Sequence, residues 1–385
     1  MRAAHVLAVH SSADLYGSDK SLLEVVRRRP AGQRFTVALP EHGPLVAELQ
    51  AAGAEVVVGS VGKVQSRMLS PSGLFGAMVE MVQAMRFLGR LHSEHRFDVI
   101  YSNSLAVFGG ALLAWRRRVP HVWHVRELLT SPRLTAAYRR AVSALADGVI
   151  ANSDETLQWI AGPRASGDPR YVRVWNGYDA PARQPDAAAA RRSLGATNDE
   201  VLIVMVGRVN AWKGQGLLVD AFSMLRRRYG GAMRLALVGS AFAGQEHFET
   251  ALREAVDRSG AADAITLQPF RTDVEAVWAA ADIAVVPSTE PEPFGRVAIE
   301  AMAFGKPVVA AAHGGLIEIV DDGVTGFLVP PRDAEALALA LERLVLSPAL
   351  RAQFGAAAQQ RQLDHFSVAS YASQVHDRLQ ATQRR

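Results

Sequence analysis

The stretch IAVVPSTEPEPFGRVAIEAMAFGKPVV, residues 283–309, decides the fold. Four apolar residues, Ile283–Val286, read as a short buried strand that stops at Pro287. A loop carrying Glu290 and Glu292 follows, then Phe294-Gly295, then a helical pattern from about residue 296 to residue 304. The next apolar run covers residues 307–310. Strand, helix-length connection and second strand, rich in Val and Ile, are the unit of a parallel sheet covered on both faces.

The same rhythm extends outward. In the second half, residues 201–206, 234–238, 265–267 and 326–329 also read as strands. In the first half the candidates are 5–10, 35–39, 55–58, 98–102, 121–125, 148–151 and 171–175, with helical stretches such as 20–29 and 45–52 between them. Two such sets predict two doubly wound α/β domains. Residues 180–196 hold two prolines and an alanine-rich polar run, and the hinge is placed near residues 178–183. The expected division is an amino-terminal domain over 1–180, to which a terminal helix at about 366–385 is added, and a carboxyl-terminal domain over 181–365. Ligands of open α/β sheets sit beyond the carboxyl ends of the strands. The two domains are therefore expected to face a central cleft lined by those ends, and to close about the hinge.

A chain of 385 residues suits two domains of ordinary size. Hydrophobic residues at 49% and charged residues at 21% give the balance of a globular protein rather than a disordered one. The absence of cysteine excludes disulfides, thiolate metal sites and cysteine nucleophiles. The apolar start, broken by His5 and His10, reads as a strand and not as a signal peptide. The longest apolar run, residues 105–115, falls short of the roughly 20 residues that span a bilayer. A cytoplasmic protein is expected.

The net charge of +4 is unevenly shared. Residues 1–180 hold 21 Lys and Arg against 15 Asp and Glu, and the remainder 21 against 23. A basic first half suits a membrane surface at the periphery or an anionic acceptor, and equally the solubilised helix ends of an arginine-rich chain. No aromatic-interleaved basic stripe accompanies it, so no nucleic-acid partner is expected.

Two segments carry chemistry. Gly295 at the helix entry lets a ligand approach backbone N–H groups, and the helix amino end favours a phosphate. Glu300, on the first turns of that helix, can accept two hydrogen bonds from a vicinal diol such as ribose, and Glu292 can bond the hydroxyls of a second sugar. The second segment is VLIVMVGRVNAWKGQG, residues 201–216, in which a buried strand runs into Gly207-Arg208 and Lys213 follows. Breaking a sugar–diphosphate bond builds negative charge on the departing group, which preorganised Arg, Lys and backbone N–H groups stabilise. No Asp-x-Asp pair occurs and no His or carboxylate cluster has metal-ligand spacing, so the cations stand where a metal would. Taken alone, each of these residues would read as a solvated surface charge. His10, His42 and His313 are read as structural or peripheral, and AHGG at 312–315 as a strand–helix turn.

These segments resemble the family 4 glycosyltransferases, retaining enzymes of the GT-B architecture. Glu292 and Glu300 match the family's Glu-x7-Glu element with Phe-Gly inside it, and Arg208 with Lys213 its diphosphate-binding pair. LVGSAFAGQE around Gly239, HGGLIEIVDDGVTGFLVPP, ANSDE and VWNGYD extend the likeness over nearly the whole chain. The resemblance implies that Arg208, Lys213, Glu292 and His124 serve catalysis. It also implies that Glu300 holds the ribose and that Phe294, Gly295, Arg296 and Val297 line the sugar and phosphate. Gly239, Phe270 and Arg271 then fall at the nucleotide end, and Gly17 lets the amino-terminal loop approach. Tyr16-Gly17 stands where the family often has Gly-Gly.

The implied activity is hexosyl transfer from a UDP- or GDP-sugar, with retention and without a metal or other cofactor. The acceptor is a glycan, a lipid-linked precursor or a small molecule, in polysaccharide or glycoconjugate biosynthesis. Two rivals stand beside it: a nucleotide-sugar epimerase of similar fold, and a catalytically silent sugar-nucleotide-binding subunit.

Overall fold

The computed structural model describes residues 4–64, 73–163, 167–183 and 185–383. The chain forms two compact units, residues 1–177 with 368–385, and residues 178–367.

The first unit is built on seven strands: β1 (His5–Val9), β2 (Arg34–Leu39), β3 (Glu55–Val58), β4 (Val99–Ser102), β5 (His121–Val125), β6 (Gly148–Ala151) and β7 (Tyr171–Arg173). They pair in the order β3-β2-β1-β4-β5-β6-β7, every pair parallel. Most strand residues are fully buried, because helices cover both faces of the sheet. One face packs Val6, Ala8, Val37 and Tyr101 with Leu22 and Val25, and the terminal helix Val368–Gln383 contributes Tyr371, Val375 and Leu379 to it. The opposite face packs Leu7, Val9 and Ile100 against Leu88 and Leu113.

The second unit holds β8 (Val201–Val206), β9 (Met233–Val238), β10 (Ile265–Gln268), β11 (Ile283–Val286), β12 (Val308–Ala311) and β13 (Gly326–Val329). Their order is β10-β9-β8-β11-β12-β13, again all parallel. The apolar runs at both halves' predicted positions became strands, with ends moved by a residue or two. The helices Ala334–Leu346 and Pro348–His365 begin at side chains that accept from backbone N–H groups, Asp333 from Ala336 and Ser347 from Leu350, the latter followed by Pro348 at the first helical position.

In each sheet the strand order reverses once, at β1/β4 and at β8/β11. Adjacent connections leave in opposite directions there, which opens a crevice beyond the carboxyl ends of those strands. Residues 105–115, the longest apolar run, end in the helix Gly109–Arg117. Among the described residues no helix is long and apolar enough to cross a membrane.

Candidate active site

In the second unit the segments that follow β8 and β11 flank the strand-order reversal, and they carry the residues singled out in the sequence. Asn210 Oδ1 accepts from the backbone N–H groups of Trp212 (3.1 Å) and Lys213 (2.9 Å), which bends the loop after β8. Lys213 Nζ then donates to Glu292 Oε1 at 2.6 Å, and Ser288 Oγ donates to the same oxygen at 2.6 Å. Glu292 is 4% exposed, so its charge is held by a cation and a hydroxyl rather than by water. The two loops are also tied through their backbones, Thr289 N donating to Trp212 O at 2.7 Å. The Arg208 guanidinium carbon lies 3.0 Å from the centroid of the Phe242 ring, and Arg208 O accepts from Gln215 Nε2 at 2.8 Å.

Gly295 caps the helix Arg296–Ala303 with φ +102°, a left-handed value that a side chain would strain. A Cβ there would also lie 2.5 Å from Leu316 Cδ2. Glu300, one turn in, is 6% exposed and accepts from Arg296 Nε at 2.8 Å. Phe294 is buried and Val297 half-buried on the same turn. Tyr178 lies under this helix start, its ring 5.7 Å from the Arg296 guanidinium carbon. Burial, and after it the nearby Glu300 carboxylate, raises the Tyr178 phenol far above its ordinary pKa.

The AHGG turn supplies a floor that the sequence reading left out. It does connect β12 to the short helix Leu316–Ile319. Gly314 has φ +60°, and a Cβ on it would lie 2.6 Å from the Glu292 backbone nitrogen. Gly315 N donates to Glu292 O at 2.8 Å, and His313 Nε2 meets Ser288 O at 2.8 Å. The Glu292 loop is thus seated on two glycines and a histidine. The signal was present as Gly-Gly after a strand, but nothing local tied it to residue 292.

At the far end of the crevice Gly239 follows β9 and, with Ser240, Val209 and Pro269, lines a cavity of about 320 Å³. Phe270 borders this region, 49% exposed, its N–H bonded to Ser240 Oγ at 3.0 Å. Arg271 is engaged by Asp273 at 2.6 Å and Ser193 Oγ at 2.9 Å. The Asp273 hydrogen bond raises the Arg271 pKa, against the effect of burial and with the help of the same carboxylate's charge.

The first unit's reversal point, between β1 and β4, is occupied by a buried polar network. His10, directly after β1, is fully buried, with Nε2 2.6 Å from Asp19 Oδ1 and Nδ1 3.1 Å from Asn103 Nδ2. Asp19 also accepts from Ser12 Oγ (2.5 Å) and from Tyr16 N (2.9 Å), and so fixes the loop leading to Gly17, the exposed first residue of the helix Gly17–Arg27. Burial raises the Asp19 pKa, but the bonds from His10, Ser12 and Tyr16 outweigh it and the net shift is downward.

Around β5 the Arg126 guanidinium donates to Asn103 Oδ1 (3.0 Å), Asn176 Oδ1 (2.6 Å) and Tyr371 OH (2.6 Å). His124 Nδ1 lies 2.6 Å from Tyr101 OH and 3.3 Å from Arg126 Nη2, while its buried Nε2 has no hydrogen-bond partner among the described residues. Burial, and then the Arg126 charge, holds His124 well below the usual imidazole pKa. A buried donor or acceptor left unpaired costs about 1–3 kcal/mol, which makes this ring nitrogen a candidate for a ligand contact. His10, read as structural or peripheral, is structural: it is buried, and its partners are 9 and 93 residues away in sequence, so no local pattern announces them.

One grouping of possible ligand atoms arises in space without metal-ligand spacing in the sequence. Ligand atoms of His5, Glu55 and His95 lie within 4.8 Å of one another. His5 and Glu55 begin β1 and β3, at the amino ends of the strands and away from the crevice. Spacing in sequence missed the group because the sheet, not a local motif, brings it together.

Comparison with known proteins names the fold. A model described as "Glycosyl transferases group 1" matches residues 186–361, and one described as "Glycosyl transferase 4-like domain" matches residues 17–177. A D-inositol 3-phosphate glycosyltransferase of Actinosynnema mirum is 32% identical over 381 residues, covering 91% of this chain and 90% of the relative. The chain belongs to the group 1 glycosyltransferases. It is an enzyme of that family, with the GT-B fold. The crystal structure of Anabaena HepE in complex with UDP-glucose matches at a TM-score of 0.82 and 28% identity, covering 98% of this chain and all of the other. A glycosyltransferase from Rickettsia africae, 19% identical with a TM-score of 0.82 over 99% of both chains, shares the fold.

Proposed function

We propose that this group 1 glycosyltransferase moves a hexosyl group from a UDP-sugar to an acceptor hydroxyl, with retention of configuration and without a metal. The observation that carries the reading is the Lys213–Glu292 pair at the reversal of the second sheet, beside the helix start that bears Glu300. The likeness to HepE, solved with UDP-glucose, favours uridine over guanosine.

In this reading residues 178–367 hold the donor. The uracil lies toward Gly239, Phe270 and Arg271, the ribose diol bonds Glu300, and the diphosphate meets Arg208, Lys213 and the backbone of Gly295, Arg296 and Val297. Glu292 bonds the transferred sugar. The approaching diphosphate draws Lys213 toward itself, and Ser288 keeps Glu292 bonded while it does. Residues 1–177 with the terminal helix take the acceptor and contribute His124 to the donor sugar.

The acceptor oxygen attacks the anomeric carbon on the face the diphosphate leaves. The carbon–oxygen bond to the diphosphate breaks, and the acceptor proton passes to the departing oxygen. No side chain need act as base. Arg208 and Lys213 stabilise the charge that develops, the task a metal performs elsewhere.

The test is turnover in EDTA of a panel of UDP-, GDP- and ADP-sugars, with inositol 3-phosphate as the first acceptor because the curated relatives are named for it. Release of UDP from one donor, abolished in Glu300→Ala, is expected. Activity that appears only when a divalent ion is restored, or an altered sugar formed without acceptor, would overturn the reading.

A further inference from the structure

We infer that Arg126 is a positioning residue that locks His124 in the tautomer protonated at Nε2, so that His124 meets the donor sugar as a hydrogen-bond donor and not as a base. This rests on the assignment of His124 to the donor sugar made above, and the geometry of the network carries it.

A guanidinium has only donors. Arg126 Nη2 faces His124 Nδ1 at 3.3 Å, so that nitrogen must offer its lone pair. The one ring proton then sits on Nε2, the atom without a partner among the described residues. The senses of the neighbouring bonds follow from the same cation. Arg126 Nε donates to the Asn103 side chain at 3.0 Å, which makes that atom Oδ1 and leaves Nδ2 to donate to His10 Nδ1 at 3.1 Å. His10 therefore carries its proton on Nε2, 2.6 Å from Asp19 Oδ1. A directed chain runs from Arg126 through Asn103 and His10 to the Asp19 carboxylate, and its other branch ends at His124.

Arg126 itself is fixed by residues remote in sequence. Asn176 Oδ1 accepts from Nη1 at 2.6 Å, and Tyr371 OH, on the helix Val368–Gln383, accepts from Nη2 at 2.6 Å. Tyr101 OH can donate to Asn103 Oδ1 at 2.9 Å or to His124 Nδ1 at 2.6 Å, and so cannot by itself decide the tautomer. An imidazole protonated at Nε2 can bond a sugar hydroxyl or phosphate oxygen through that N–H, but it has no lone pair there with which to remove a proton. The terminal helix thereby acts on the ring through Tyr371 and Arg126.

Nitrogen NMR of the histidine-labelled protein at pH 7 reads the tautomer directly, with His124→Gln identifying the signals. The expected spectrum places His124 Nδ1 among unprotonated ring nitrogens and Nε2 among those coupled to a proton. A proton on Nδ1, or a doubly protonated ring, overturns the inference. Arg126→Met is expected to shift the ring toward Nδ1–H and to lower kcat by about 10- to 100-fold, the loss of one to two hydrogen bonds' worth of orientation. An unchanged tautomer in a folded Arg126→Met would assign the lock to Tyr101 instead. Should that variant not fold, Tyr101→Phe serves: retention of Nε2–H is expected, and its loss overturns the role of Arg126.

His124→Gln keeps an N–H donor near the place of Nε2 and is expected to stay within about tenfold of wild type, whereas His124→Ala falls further. Equal losses in both would favour a base. The spectrum does not depend on turnover. Failure of every donor with the expected tautomer would sink the functional reading alone, and turnover with the opposite tautomer would sink only this inference.

Discussion

At the reversal point of the second sheet, the half-buried Lys213 and the buried Glu292 face each other as an ion pair, with Arg296 and Glu300 paired one turn along the helix. At the reversal point of the first, Arg126 is bonded to Asn103, Asn176, Tyr371 and His124, with no carboxylate of the described residues among the partners of its guanidinium. Both regions lie beyond the carboxyl ends of parallel strands, yet they suit different tasks. An ion pair can be opened by a ligand of like charge to one partner, because the energy lost with one anion is regained with the next. A network whose donor and acceptor senses are fixed by a permanent cation exchanges nothing; it holds side chains in one orientation.

The sharpest break of this contrast is Lys213→Ala. It removes a cation from the departing diphosphate and leaves Glu292 buried beside Ser288 without its counter-charge, and kcat is expected to fall by about 10²–10³-fold. Steady-state turnover of a UDP-sugar measures it. A loss under tenfold would mean that the cation serves only Glu292.

A buried histidine of the first unit gives a pH test. Burial lowers the His121 pKa to about 4, against an ordinary value of 6.5, with Nδ1 near Leu145 O and Nε2 near Ser102 Oγ. The unfolded chain then binds a proton between those values that the folded chain does not, so stability rises with pH across the window. His121 contributes fully above pH 6.5 and loses roughly 3 kcal/mol by pH 4. Denaturant unfolding of wild type and His121→Gln across pH 7 to 4 should show their difference shrinking by about that amount. Parallel curves would contradict a neutral, buried His121.

A smaller effect is expected at the floor of the Glu292 loop. Gly314→Ala meets both the left-handed backbone and the Glu292 chain, and should cost about 1–3 kcal/mol in stability while raising KM for the donor. Loss of stability with unaltered donor KM would separate that loop from the sugar.

The same contrast explains what the sequence made legible. Glu292 and Glu300 are eight residues apart, and Arg208 and Lys213 five, each pair set in one loop or one helix start, so their residue types could be read together. The strands were legible because burial on both faces leaves unbroken Val and Ile runs. The Arg126 network was not, since Asn103, Asn176 and Tyr371 stand 23, 50 and 245 residues from it. Each is an ordinary residue in its own segment, and only the sheet order and the terminal helix bring them to one point. Gly314 and Gly315 fall between: visible as a turn, but not as the seat of a loop 22 residues earlier.

Calorimetric titration of UDP-glucose into the protein in EDTA tests the central claim most directly. One saturable site is expected, weakened at least about tenfold in Glu300→Ala, the loss of a charge-assisted pair of hydrogen bonds to the ribose. Absence of binding by any nucleoside diphosphate sugar, or binding indifferent to Glu300, would contradict the assignment of the second unit to the donor.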